Sequence, residues 1–187
     1  MATIATRAVL LTGPPGIGKT TVLKKLLGLH YGLRLSGFYT EEVREHGRRR
    51  GFRAVCIEGP PRVIADLGFR GAHRVGAYGV DVAAIDRLSM EALAPRAEVD
   101  LYVVDEVGKM ECLSQLFVLA LQTLLVEGRP LIGTIALRGG GFIAEVKERP
   151  GVELRPVSVA NRARLPELLR DELARLLGPA RNAPPSS

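Results

Sequence analysis

The sequence predicts one α/β domain built on an open, mostly parallel sheet with helices on both faces. Three observations carry this. Short apolar runs alternate with amphipathic stretches along the chain, the pattern of strands buried on both sides by helices. The 187 residues are 47% hydrophobic and 25% charged, enough for one full core and ordinary for a globular domain. No internal repeat and no linker-like stretch divides the chain. The domain is therefore expected over residues 1–178. A tail at 179–187, ending "ARNAPPSS", has too little apolar content to fold.

The elements follow in order. "TRAVLLTG" (6–13) is short, apolar and stops at a glycine turn, a buried strand. From Lys19 to Leu29, Val22, Leu23, Leu26 and Leu27 recur at helical spacing with Lys24 and Lys25 between them. "SGFYTEEV" and "RRRGFRAVCIEG" are β-prone runs around "REHG", which predicts a hairpin turning at His46 and Gly47. Residues 60–79 are rich in Gly, Pro and Arg and give no clear period. A helix near Ile85 to Leu93 leads to a second buried strand, "EVDLYVVDE". "SQLFVLALQTLLVEG" is a helix stopped by Gly128 with Pro130 beyond. "PLIGTIAL" is a third buried strand, "GGG" (139–141) a joint, "FIAEVKER" a short helix and "GVELRPVSV" a further strand. The last helix sets Leu165, Leu168, Leu169, Leu173, Leu176 and Leu177 on one face and closes at Gly178-Pro179.

Composition excludes several classes. No apolar run reaches the roughly 18 residues that cross a bilayer, and the first apolar stretch passes straight into glycines rather than a cleavage site. An intracellular, cytoplasmic protein with no membrane partner is expected. Cys56 and Cys112 form no CxxC pair, and His30, His46 and His73 lack ligand spacing, so neither a disulfide framework nor a zinc site is expected. The net charge of +6 favours anionic partners, nucleotide phosphates or nucleic acid. Nucleic acid is the less favoured of the two: aromatic content is 5% with no Trp, and no basic-aromatic stripe runs along the chain.

The stretch "LLTGPPGIGKTT" (10–21) supplies the chemistry. Gly13-x-x-x-x-Gly18-Lys19-Thr20 stands between a predicted strand and a predicted helix, the context that makes this pattern a phosphate loop. Gly13, Pro14, Pro15, Gly16, Ile17, Gly18, Lys19 and Thr20 form the cradle. Its glycines let backbone N–H groups turn inward, and its prolines stand where no donor is needed. The helix N-terminus adds partial positive charge. Lys19 reaches the terminal phosphates and the Thr20 hydroxyl ligates Mg²⁺.

The second constellation is "LYVVDE" (101–106), whose apolar residues deliver Asp105 to the end of a strand. Asp105 is a candidate to hold Mg²⁺ through Thr20 or water. Glu106 next to it can align and deprotonate a water attacking a γ-phosphate. "DEVG" also fits a GTPase pattern, but no NKxD base-reading motif follows, so a GTPase switch is rejected. Thr134 in "LIGTIAL" can bring a hydroxyl toward the phosphates if its strand lies between the other two. A plain strand residue is an equal reading.

"GPPGIGKTT", "GFYTEEVR", "VVDEVGKME" and the late "NR" together resemble the small P-loop nucleoside-triphosphatase family typified by the cancer-related nucleoside-triphosphatase and its thermophilic relatives. The likeness runs from Ala8 to about Leu177. It implies a RecA-like domain that hydrolyses ATP, GTP, CTP, UTP and TTP to diphosphates with Mg²⁺. Beyond the phosphate loop, it places nucleotide contacts on Val103, Val104, Asp105, Glu106, Val107, Gly108, Lys109 and Met110. Residues 60–76 match least.

Phosphoryl transfer also needs positive charge on the developing γ-phosphoryl beyond Lys19 and Mg²⁺. Lys109, Arg44 and Arg162 are the in-chain candidates, each also readable as a surface residue. Asn161 and Arg162 are placed to approach a base without choosing among bases; Asn161 reads equally well as a helix cap. Two other classes stay open. A nucleoside or nucleotide kinase could use Arg48 to Arg50 as a lid, though Glu106 argues against it. A nucleic-acid-linked ATPase rests on charge alone.

Overall fold

The computed structural model describes residues 6–29 and 32–177. Chain order is β1 (Ala8–Gly13), α1 (Lys19–Gly28), β2 (Leu35–Glu45), β3 (Arg48–Cys56), β4 (Arg62–Asp66), β5 (Arg74–Val75), β6 (Tyr78–Val80) and α2 (Val82–Ala92). There follow β7 (Leu101–Val107), a 3₁₀ turn (Glu111–Leu113), α3 (Gln115–Val126), β8 (Leu131–Ala136), α4 (Phe142–Glu148), β9 (Val152–Pro156) and α5 (Leu165–Leu177). All described strands join one sheet in the order β5-β6-β4-β3-β2-β7-β8-β1-β9.

The centre of that sheet is parallel. β2, β7, β8, β1 and β9 run in one direction, with β8 inserted between β7 and β1. Alternation along each strand assigns the two faces. Val9, Leu11, Leu101, Val103 and Ile132 pack under α1 and α5. Ala8, Leu10, Tyr102 and Val104 face the opposite way, into a core shared with α2, α3 and α4. Continuous apolar runs were needed because both faces are covered. No described helix is long and apolar enough to cross a membrane.

β2 outruns β7. It pairs with β7 only over Leu35 to Phe38 and continues to Glu45 in an antiparallel hairpin with β3. Glu45 pairs with Arg48, so the loop is His46-Gly47, with φ of 48° and 77°. Two positive φ values make this the primed turn that suits strand twist, at the residues expected.

The stretch 60–79 holds β4, β6 and β5, which extend the hairpin as further antiparallel strands. Strands of two to five residues among Gly, Pro and Arg are too short to show a period of two.

One expectation on α5 fails. Leu168 is 58% exposed while Leu165, Leu169, Leu173, Leu176 and Leu177 are buried. At about 100° per residue, Leu168 falls roughly 60° outside the buried stripe. The closing pair at 178–179 and the tail lie outside the described residues.

Candidate active site

β1 ends at Gly13 and the chain crosses Pro14 to Gly18 before α1 begins at Lys19. Gly16 and Gly18 take φ of 75° and 105°, the left-handed region where a side chain is costly. Gly18 caps α1 without any side-chain hydrogen bond. The first-turn N–H groups, which have no intrahelical acceptor, are thus left for an anion.

Lys19 is only 8% exposed and folds back over this loop. Its Nζ donates to the Gly13 carbonyl at 3.2 Å and stands 3.6 Å from Glu106 Oε2. The lysine predicted for the phosphates and the glutamate predicted for the water therefore meet at one point.

Asp105 ties the loop to the sheet. It is fully buried in the C-terminal half of β7, in a peptide bond with Glu106 that is cis. The Thr20 hydroxyl donates to its Oδ2 at 2.7 Å, and the Thr40 N–H and hydroxyl approach the same oxygen at 3.3 and 3.4 Å. The Thr134 hydroxyl donates to its Oδ1. The condition set for Thr134 is met, because β8 does lie between β7 and β1. Burial pushes the Asp105 carboxyl up from its ordinary range, opposed by the Thr134, Thr20 and Thr40 hydrogen bonds and by Lys19. Glu106 is also pushed up by burial and held back by Lys19.

The donor set suits Mg²⁺. A threonine hydroxyl and one carboxylate are hard oxygen donors at a phosphate cradle, and Mg²⁺ usually takes one or two carboxylates plus substrate phosphates and water. Among the described residues no cluster of three or more His, Cys, Asp or Glu could hold an ion alone.

Other predicted residues divide clearly. Arg162 lies over the phosphate loop, its Nη1 donating to the Ile17 carbonyl at 3.2 Å and its Cδ close to Gly18. The Asn161 amide is engaged by nearby backbone rather than by the first turn of α5. Its Oδ1 accepts from the Ser158 N–H at 2.8 Å and its Nδ2 donates to the Pro156 carbonyl at 2.9 Å. It staples the turn after β9 that carries Arg162, and three further residues separate it from α5.

The side chains of 103–110 do not form a continuous exposed surface. Val103 is buried beneath α1 and α5, while Val104 and Val107 are buried in the opposite core with Met110 packed against it. These side chains are spent on the two faces of a covered strand and only deliver Asp105 and Glu106. Gly108 is buried and Lys109 is exposed in the turn beyond β7. Arg44 is not brought to the loop. It is paired with Glu42 and the Gly47 carbonyl in the hairpin, four residues past Thr40 and so roughly 13 Å further along the strand.

Two residues at the site escaped the sequence reading. Thr40 is one, although "GFYTEEVR" contains it. The other is Glu111, only 5% exposed at the start of the 3₁₀ turn. Burial drives its carboxyl up to about 8.

The family model described as NTPase matches residues 8–169. The chain belongs to this NTPase family. It is 38% identical over 177 residues to the human cancer-related nucleoside-triphosphatase, covering 85% of this chain and 92% of that one. It is 36% identical over 155 residues to nucleoside-triphosphatase THEP1 of Thermotoga petrophila, with 82% and 86% covered. Among solved structures, the crystal structure of THEP1 from the hyperthermophile Aquifex aeolicus superposes with a TM-score of 0.72 at 30% identity, over 92% of this chain and 99% of that one. The NTPase family match spans both the phosphate loop and the Asp105-Glu106 strand end.

Proposed function

We propose that this chain hydrolyses nucleoside triphosphates to diphosphate and phosphate, with Mg²⁺ and little choice of base. One observation carries the reading. Thr20 of the phosphate loop is hydrogen-bonded to buried Asp105, and Glu106 beside it stands 3.6 Å from Lys19. The NTPase family membership and relatives named nucleoside-triphosphatases support the same activity. The insertion of β8 between β1 and β7 supports placing the domain in the RecA-like division.

Each residue then has a task. Loop N–H groups and Lys19 hold the β- and γ-phosphates. Thr20 and Asp105 would hold Mg²⁺, which supplies charge neutralisation on the phosphates when bound. Glu106 takes a proton from the attacking water, and Lys19 keeps its carboxylate directed at the γ-phosphate end. Lys19 itself trades the Gly13 carbonyl for phosphate oxygens. Arg162, laid across Ile17 and Gly18, is the base clamp: a planar guanidinium stacks on any base and selects none. Its fixed place over the loop makes Arg162, rather than Arg44 or Lys109, the first cation to test for a role in turnover.

The test is phosphate release from ATP, GTP, CTP, UTP and TTP with Mg²⁺ and in excess EDTA. The reading expects EDTA to abolish release and kcat/KM to vary by less than about tenfold, or ~1.4 kcal/mol. Full activity in EDTA would remove the Mg²⁺ role. A hundredfold preference for one base would remove the clamp.

A further inference from the structure

Behind Glu106 sits an acid that the proposed reaction does not use. Glu111 Oε2 lies 2.9 Å from the point where a Cβ on Gly108 would stand, and Glu106 Cγ and Cδ lie 3.5 and 3.8 Å from that same point. The space beside residue 108 is thus bordered by two carboxyl side chains, the Glu111 carboxyl tightly and the Glu106 stem at ordinary contact distance. A methyl group at 108 would meet the Glu111 carboxyl below any ordinary contact distance.

The turn carrying Glu111 is firmly held. The Cys112 N–H donates to Gly108 O at 3.0 Å and the Ser114 N–H to Glu111 O at 3.0 Å. The Ser114 hydroxyl accepts from the Phe117 N–H at the start of α3 and donates to Asp86 of α2. The turn that carries Glu111 is therefore tied to two helices through Ser114, while the Glu106 side chain is 30% exposed.

We propose that Glu111 is a positioning residue for hydrolysis: its carboxyl, packed across Gly108 from the stem of Glu106, sets the direction in which the Glu106 carboxylate faces Lys19 and the phosphate loop. The inference rests on the reading in which Glu106 activates water, and it adds a residue to that site.

Charge supports the geometry. Two ionised carboxylates at this spacing in a buried site repel each other. Burial keeps the Glu111 proton up to about 8, with Glu106 and Asp105 of β7 adding to the effect. The Cys112 thiol on the same turn is driven to about 12, Asp86 of α2 is held by Ser114, and the charge of Lys147 on α4 acts on the Glu106 carboxylate. α3 brings no ionisable side chain over Gln115–Val126. At neutral pH Glu111 packs against Glu106 without opposing its charge. Once Glu111 ionises, the two carboxylates push apart and Glu106 leaves its line.

The experiment is the pH profile of Mg²⁺-dependent phosphate release from ATP, pH 6.5 to 9.5 being about the useful range around that ionisation. Wild type, Glu111→Gln, Glu111→Ala and Glu106→Gln are compared, with a thermal melt of each. Wild-type kcat is expected to fall above about pH 8, and Glu111→Gln to keep the neutral rate within about threefold and lose that alkaline fall. Glu111→Ala should lower kcat by about tenfold or more with KM unchanged. An alkaline fall in Glu111→Gln identical to wild type overturns the inference, as does wild-type kcat in Glu111→Ala. If Glu111→Ala does not fold, the Glu111→Gln profile decides. Glu106→Gln separates the two levels: wild-type turnover there removes the water-activating role itself, whereas an inactive Glu106→Gln beside a fully active Glu111→Ala removes only the positioning role.

Discussion

Replacing Glu106 by Gln should separate binding from hydrolysis, and the structure gives the size of both effects. The amide keeps the shape of the side chain and removes its ability to take a proton. Loss of a general base costs about 10²- to 10⁴-fold in kcat, or ~2.7–5.4 kcal/mol of barrier. Binding should move the other way. Glu106 Oε2 is 3.6 Å from Lys19 Nζ, and a charge pair at about that distance is worth roughly 4 kcal/mol at an effective dielectric of ~20. Glu106 is 30% exposed, so solvent screening reduces this to the order of 1–2 kcal/mol. The bound γ-phosphate must compete with that carboxylate for Lys19. Freeing Lys19 should therefore tighten nucleotide binding by about fivefold or more, using ~1.4 kcal/mol per tenfold. The assay is equilibrium titration with Mg²⁺ and a fluorescent triphosphate, beside single-turnover phosphate release. Wild-type turnover in the variant would refute the base role, and a tenfold weaker affinity would refute the competition for Lys19.

Further outcomes follow from the same contacts. Lys19→Ala should abolish Mg²⁺-dependent phosphate release, read by a continuous phosphate assay, since it removes a buried cation from the phosphate loop. Arg162→Ala should raise KM for purine and pyrimidine triphosphates alike with little change in kcat; a fall in kcat at constant KM would instead place Arg162 on the γ-phosphoryl. Thr134→Val removes the hydroxyl that donates to Asp105 Oδ1 and should cost about 1–3 kcal/mol in a chemical denaturation curve, the penalty for an under-bonded buried charge. Glu111→Gln bears on stability as well as rate. Its folded-state pKa of about 8 exceeds the roughly 4.3 of the unfolded chain, so the unfolded state loses its proton first and stability falls as pH rises between those values. The variant should melt higher than wild type at pH 8, by roughly 5 °C or more, and the gap should narrow toward pH 5.

What the sequence displays depends on how local each signal is. Leu101 to Val104 form a strand covered on both faces, and that covering shows as an unbroken apolar run. The phosphate loop is legible because its glycines, Lys19 and Thr20 all act within eight consecutive residues. The His46-Gly47 turn is legible because its φ values favour glycine on its second residue. β4, β5 and β6 are not, since their register comes from pairing with the hairpin rather than from their own residues. Thr40 and Glu111 were missed for a related reason. Thr40 meets Asp105 only because β2 lies beside β7, and Glu111 meets Glu106 only because the turn after β7 closes on Gly108. Arg44 shows the converse. It sits in a telling motif, yet strand length carries it away from the loop.

The central claim is that water, directed by Glu106, attacks the γ-phosphorus. Turnover of MgATP in ¹⁸O-labelled water, with a panel of nucleosides and nucleoside monophosphates present, tests it most directly by mass spectrometry of the products. The account predicts one labelled oxygen in inorganic phosphate, none in the diphosphate, and no phosphorylated acceptor. Label in the nucleotide product, release of pyrophosphate, or transfer of the γ-phosphate to a nucleoside or monophosphate would contradict it.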